Sequence, residues 1–328
     1  MRKLTTRILL GAAALCLAAS LPLSQAAGAF PEGRNINIIV PFSPGGGYDA
    51  IARATARSMK KFLPKGVNVI VKNVTGAAGR RASVFMYRAK PDGYTIAHFQ
   101  ASGMLGDQML SETPVGFETS KYTWLARVGA DPFGLHVSAK GPYKSIADLQ
   151  KAKRITWGVE GIGVGRWLGS FLAAKAFGID FNVVAGYRGT GESLPALLRG
   201  DFDVWAQPID HPSVTSYLGT DLRPVVQLDR KRAVNAPDVQ TSYEMGYDLY
   251  FSDLRAFGGP PGIPADRAKI LEDLLLKAMR DKEYVDWKNA SSIQLVEGPA
   301  STVSEDLKYY ENLFKANLDE MRKAAKAK

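Results

Sequence analysis

The 328-residue chain has a single cysteine, Cys16, and it lies within the first thirty positions. The rest of the chain has no thiol for a disulfide, a thiolate metal site or a cysteine nucleophile. Histidine is almost as scarce. His98, His136 and His211 are far apart and form no metal-ligand spacing such as HExxH, so structural or surface roles are expected of them. No GxSxG elbow, Walker loop or zinc signature occurs. Gly161-x-Gly163 starts a dinucleotide fingerprint, but Arg166 stands where the third glycine belongs. No cofactor and no metal are therefore expected. Internal repeats and low-complexity segments are also missing, as is any run near the roughly 20 apolar residues that a membrane-spanning helix requires.

The chain opens with a basic tip (Arg2, Lys3, Arg7), then an apolar run from Ile8 to Ala19, then small residues including Ser24, Ala26, Ala27 and Ala29. That order is the signature of a secretory signal peptide. It is expected over residues 1–26, with cleavage as late as 29, and the alternative is a retained anchor. Export to the periplasm follows. Leu15, directly before Cys16, is too large for the cleavage that would lipidate that cysteine. The net charge is +10, or +7 without the three cations of the tip. A basic balance fits nucleic acid, an acidic membrane surface or anionic solutes. The basic residues are scattered and lack the aromatic interleaving of single-strand binders, which argues against nucleic acid and for a solvated basic surface that also attracts anions.

The length beyond the leader exceeds what one compact core usually supports, so two lobes are expected. Short apolar runs alternate with amphipathic patterns. Strands are predicted at Ile36 to Phe42, Val67 to Val71, Tyr94 to Phe99, Trp124 to Val128, Arg154 to Val159 and Phe202 to Trp205. Helical spacing follows the first strand, with Ile51, Ala52, Thr55, Ala56, Met59, Phe62 and Leu63 on one face. It returns at Trp167–Phe177, Glu192–Leu198, Ala265–Met279 and Val303–Met321. This alternation predicts an α/β fold with mostly parallel sheets, in which ligands sit where strands lead into helices. Two such loops are rich in glycine, Pro41 to Asp49 and Gly186 to Glu192. Glycines expose consecutive N–H groups, and a following helix N-terminus adds partial positive charge, an arrangement that suits a carboxylate or phosphate. Tight turns use glycine as well.

The blocks Ile39-Val40-Pro41-Phe42-Ser43-Pro44-Gly45-Gly46-Gly47-Tyr48-Asp49 and Ala52-Arg53 resemble the opening of the tripartite tricarboxylate transporter substrate-binding proteins, the Bug receptors. The resemblance continues through Val69 to Asn73, Gly76 to Gly79, Pro91 to Thr95, Tyr187 to Gly191 with Leu197 and Gly200, and Gly259 to Pro264. It covers nearly all of the chain beyond the leader. It implies a two-lobe periplasmic binding-protein fold of type II kind, with a small organic carboxylate in the cleft and no catalysis. It also implies delivery to the membrane subunits of a transporter, by a protein expected to be a monomer.

By the same resemblance, two loops act as pincers on the carboxylate. Phe42, Ser43, Gly45, Gly46 and Asp49 belong to the first, and Tyr187, Gly189, Thr190 and Gly191 to the second. Tyr48 is a separate ligand candidate, as an aromatic cover beside Trp167 for a flat or aliphatic ligand body. For Asp49 the alternatives are capping the helix that follows or accepting a hydrogen bond from water or a ligand hydroxyl. A third loop departs from the family pattern "S-x-G-x-G-T-x-x-H", reading Gly158-Val159-Glu160-Gly161-Ile162-Gly163-Val164-Gly165-Arg166-Trp167. Gly163, Arg166 and Trp167 are the ligand candidates there. Arg166 either pairs a second carboxylate or is solvated, and Trp167 either covers the ligand or packs into its lobe. Taken as ligand contacts, they favour an aromatic or medium-chain dicarboxylate. The lobes are expected at 30–131 plus 252–328 and at 132–251. The competing readings are an α/β enzyme on a small carboxylate, with Asp49 and Glu192 as an acid–base pair, and a ligand-dependent partner of a sensor protein.

Overall fold

The structure, a computed structural model, describes residues 30–326 other than 164, 292 and 294, without the side chains of 212 and 213. The leader expected at 1–26 lies outside the described residues. The strands are β1 (Ile36–Val40), β2 (Val69–Asn73), β3 (Thr95–Gln100), β4 (Thr123–Ser138), β5 (Thr156–Val159), β6 (Asn182–Ala185), β7 (Trp205–Pro208), β8 (Leu222–Gln227), β9 (Ser252–Gly259) and β10 (Gly298–Pro299). The helices are α1 (Gly47–Lys60), α2 (Arg80–Tyr87), α3 (Ala101–Leu110), α4 (Ile146–Lys151), α5 (Arg166–Phe177), α6 (Thr190–Arg199), α7 (Pro212–Thr215), α8 (Ala265–Arg280), α9 (Lys282–Ala290) and α10 (Ala300–Lys326).

The fold is mixed α/β. β1 runs parallel to β2 and β3, and β5 runs parallel to β6. The expectation of mostly parallel sheets does not hold. β9 is antiparallel to both β3 and β4, and β4 is antiparallel to β7, β8 and β10. The cause is one long strand. β4 has 16 residues where a run of five was predicted, because Pro132 and the polar Asp131 interrupt its apolar pattern without ending the strand. Strand β9 was not predicted at all. Its polar Asp253 and Arg255 are buried, so it lacks the uninterrupted apolar run that marks a covered strand.

Two large apolar cores lie on either side of this ribbon. One gathers β1, the Ile51, Ala52 and Met59 face of α1, Leu125 and Val128 of β4, and α8. The other gathers Phe133, Leu135 and Val137 of β4, β5, α5 and the Val303, Leu307, Tyr310 and Phe314 stripe of α10. β4 thus passes from one core to the other near residues 129–132. Ala101 and Leu105 of α3 also join the second core. α3 and α10 belong by sequence to the expected first lobe, yet they seal the second one. α1 ends at Lys60, before Pro64, which leaves Phe62 exposed although the helical pattern continued through it.

Candidate ligand-binding site

β1 delivers the chain to the loop before α1, and Gly46 caps that helix with extended backbone and no side-chain cap. Asp49 compensates from the third helical position. Its carboxylate accepts from Gly45 N–H at 2.9 Å, from Arg53 Nε at 2.9 Å and from Asn73 Nδ2 at 3.0 Å, and the same Asn73 amide donates to the Phe42 carbonyl at 2.9 Å. Burial acts to raise the Asp49 pKa, but hydrogen bonds from Arg53, Gly45 and Asn73 outweigh it and hold the carboxyl below its usual range. The loop is therefore shaped by charge-assisted bonds from behind. The N–H groups of Gly47, Tyr48 and Asp49 have no acceptor within the helix.

α5 and α6 begin on the opposite wall. Gly189 caps α6 at φ 149°, ψ −169°, a region open only to glycine. Gly165 precedes α5 at φ 42°, where a Cβ would come within 2.7 Å of Gln100 Oε1. The N-termini of α1, α5 and α6 converge on one cavity of about 680 Å³. Phe42, Ser43, Gly45, Gly46, Tyr48, Arg166, Gly189, Thr190 and Gly191 line it.

Four residues singled out by sequence do not line it. Asp49 points back into its own loop, as above. Trp167 is fully buried, its indole stacked on Phe171 at 5.4 Å and edge-on to Phe181, because α5 turns that side toward the core and only its first residue toward the cavity. Tyr187 packs on Phe202 at 5.4 Å. Gly163, at φ 82°, serves a close approach: its carbonyl lies 3.1 Å from where a Cβ on Gly106 of α3 would be.

Sequence reasoning missed Gln100, Glu160, Gln207, His211, Asp253 and Arg255, all of which line the cavity. Arg255 is buried, with Nε 2.6 Å from Asp131 and Nη2 3.2 Å from Asp253. Its guanidinium lies 4.5 Å over the Tyr48 ring. Asp253 also accepts from Tyr48 Oη at 2.8 Å and Gln100 Nε2 at 2.9 Å. Burial, then the Asp253 charge, drives the Tyr48 pKa well up, so it remains a donor. The alternation Ser252-Asp253-Leu254-Arg255 was the available signal, a strand with one polar face. His211 is held neutral, its pKa lowered to about 3 by burial and by the Arg255 and Arg166 charges.

Arg166 is buried too. Nη2 lies 2.5 Å from Glu160 Oε1, Nη1 donates to Ser193 Oγ at 2.9 Å, and the group sits 5.2 Å over Trp205. Glu192 holds Arg188 through its Nε at 2.6 Å and backbone N–H at 2.9 Å, and these bonds lower the Glu192 pKa. Neither Asp49 nor Glu192 has the raised pKa that an acid–base pair would need. Among the described residues no cluster could hold a metal, and no helix is long and apolar enough to cross a membrane.

A model of the family described as "Tripartite tricarboxylate transporter family receptor" matches residues 51–306. A Cupriavidus necator protein, described as the UPF0065 protein in the gbd 5' region, is 28% identical over 284 residues, spanning 83% of this chain and 82% of its own. Two solved structures from Rhodopseudomonas palustris share the fold. MatC with bound malate is 22% identical, covers 86% of this chain and 99% of its own, and has a TM-score of 0.73. A second protein with adipate is 20% identical, covers 90% of this chain and 98% of its own, and has a TM-score of 0.75.

Proposed function

The chain belongs to the tripartite tricarboxylate transporter family receptors, and from that membership we propose that it traps a small organic carboxylate between two lobes and delivers it to its transporter's membrane subunits. The family is periplasmic. We place the lobes at 30–131 plus 252–328 and at 132–251, except that α3 and α10 of the first range pack on the core of the second, with β4 and β9 as the crossing strands and closure as a hinge motion. The leader is removed near residue 26–29, and the intact mass of secreted protein checks this. A mass that still includes Cys16 would refute it.

One observation carries the ligand reading. Three helix N-termini, two of them behind glycine loops, open on a single cavity between the cores. Each offers N–H groups without helical acceptors and a partial positive charge, which together solvate a carboxylate. The relatives solved with malate and adipate hold carboxylates in the same fold. The test is a thermal-shift screen of carboxylates, with calorimetry on hits and recovery of the bound acid. At 100 times its dissociation constant a ligand stabilises the protein by about 2.7 kcal/mol. The acid should be recovered unchanged, and a chemically altered product would favour an enzyme.

Gly46→Val separates the pincer from the fold. Gly46 has ordinary dihedrals, and a Cβ there meets only the Ser43 carbonyl at 3.4 Å. The branched side chain should leave the melting temperature nearly unchanged, within the range of about 0.5 kcal/mol typical of surface changes. By occupying space at the N–H groups of α1 it should weaken ligand binding at least tenfold, or about 1.4 kcal/mol. Unaltered affinity would remove the first loop from the site.

A further inference from the structure

Each arginine on the cavity wall already has a carboxylate of the protein. Arg255 holds Asp131 and Asp253, Arg188 holds Glu192, and Arg166 holds Glu160. Positive character left for a ligand comes from the helix N-termini and from the buried Arg255 Nη1. That nitrogen has no hydrogen-bond partner among the described residues and lies 3.5 Å from where a Cβ on Gly47 would be. Together they suit one carboxylate at the glycine loops. The far wall is different in kind. Arg166 is only 6% exposed, and both its terminal nitrogens are engaged, one by Glu160 and one by Ser193, whose Oγ donates to the Gly189 carbonyl at 3.1 Å. Glu160 is 24% exposed and lines the cavity; its Oε1 meets Arg166, and no hydrogen bond reaches its Oε2 from the described residues. At this wall the ligand meets a carboxylate with one oxygen to spare. The guanidinium lies behind it.

We propose that Glu160 is a specificity-determining residue: it supplies from within the protein the carboxylate that Arg166 would otherwise take from a ligand, and it offers an acceptor to the ligand's far end. The ligand class this selects is a monocarboxylate whose far end donates hydrogen bonds, a hydroxyl or an ammonium group. A second free carboxylate there meets a like charge and finds no unengaged cation. The dicarboxylate expected from Arg166 alone is thereby replaced. This inference rests on reading the cavity as a carboxylate site.

Calorimetry on the full mature protein tests it with matched acids at each chain length from succinate to suberate: the dicarboxylate, and analogues with one carboxylate replaced by methyl, hydroxymethyl or aminomethyl. At the length that fits best, the hydroxyl- or ammonium-ended acid should bind at least about 10-fold tighter than the dicarboxylate, as expected for a charge-assisted hydrogen bond set against repulsion. The order of the two donor-ended acids tells whether charge or a neutral donor is read. Glu160→Gln should abolish or reverse the preference by freeing Arg166. The proposal is overturned if the unaltered protein prefers the dicarboxylate or the methyl-ended acid, or if Glu160→Gln leaves the ratios unchanged. Absence of binding by every acid of the set overturns the carboxylate reading itself. The ratio in the unaltered protein decides the matter even if the variant folds poorly, and Glu160→Ala provides a second variant.

Discussion

Arg255→Met should destabilise the protein by about 3–5 kcal/mol, the range for removing one partner of a buried ion pair. The side chain is 3% exposed and lies between Asp131 and Asp253, which are 4% and 6% exposed. These two acids face each other across the β4–β9 ladder, so the guanidinium neutralises a like-charge pair set by strand register. Burial holds the Asp131 pKa well above its usual range even though Arg255 opposes this, with the Asp210 and Asp253 charges adding to the rise. Without the guanidinium, protonation is the remaining relief. The deficit should therefore be larger at pH 8 than at pH 5, when followed by denaturant melts. A packing defect alone would be independent of pH over that range. Arg255→Lys should recover part of the loss, since it keeps the charge but not the fork that bridges both acids. A cost below about 1 kcal/mol would mean that the cluster does not hold the crossing strands together.

His136→Gln should flatten the fall in stability between pH 6 and pH 4. His136 is fully buried on β4, with Nε2 3.1 Å from the Gln207 carbonyl, and burial lowers its pKa to about 4. His98, behind Tyr48, is similar; burial and then the Arg255 charge lower its pKa to about 3. Both rings are neutral in the folded protein, whereas the unfolded chain takes up these protons near pH 6.5. Stability from a neutral buried imidazole is complete above pH 6.5 and is lost as pH falls toward the folded value. Each histidine contributes a slope of about 1.4 kcal/mol per pH unit in that window. Asp131 works in the opposite direction, since a raised carboxyl binds its proton more tightly when folded. The comparison of variant and parent cancels that opposing contribution. The two curves should differ by about 3 kcal/mol in span between pH 7 and pH 4. Parallel curves would show that His136 carries its proton in the folded state.

The features legible in the sequence are those encoded within a few neighbouring residues. Apolar spacing at 51, 52, 55, 56 and 59 marks the buried face of α1, and the runs at 36–40 and 95–99 mark central strands. Glycine ahead of a helical pattern marks both pincer loops, and nine of the residues named from these loops and from loop 160–167 line the cavity. Family motifs extend over the chain because the same loops recur in the same order. Side-chain direction is less readable. Trp167 and Arg166 are adjacent on one helix turn, and a rotation of about 100° per residue sends one into the core and the other to the cavity.

The tertiary structure decided the charge partners. Arg255 meets Asp131 across 124 positions and Tyr48 meets Asp253 across 205, contacts that exist only once β4, β9 and α1 are in register. Glu160 and Arg166 are six positions apart, yet their pairing depends on the backward turn that Gly163 and Gly165 permit, at φ 82° and 42°. Local periodicity sets which face of an element is apolar. Which charge ends beside which is set by the folding of distant strands onto one ladder, and in this cavity that pairing turns an arginine suited to a second carboxylate into the support for an acceptor.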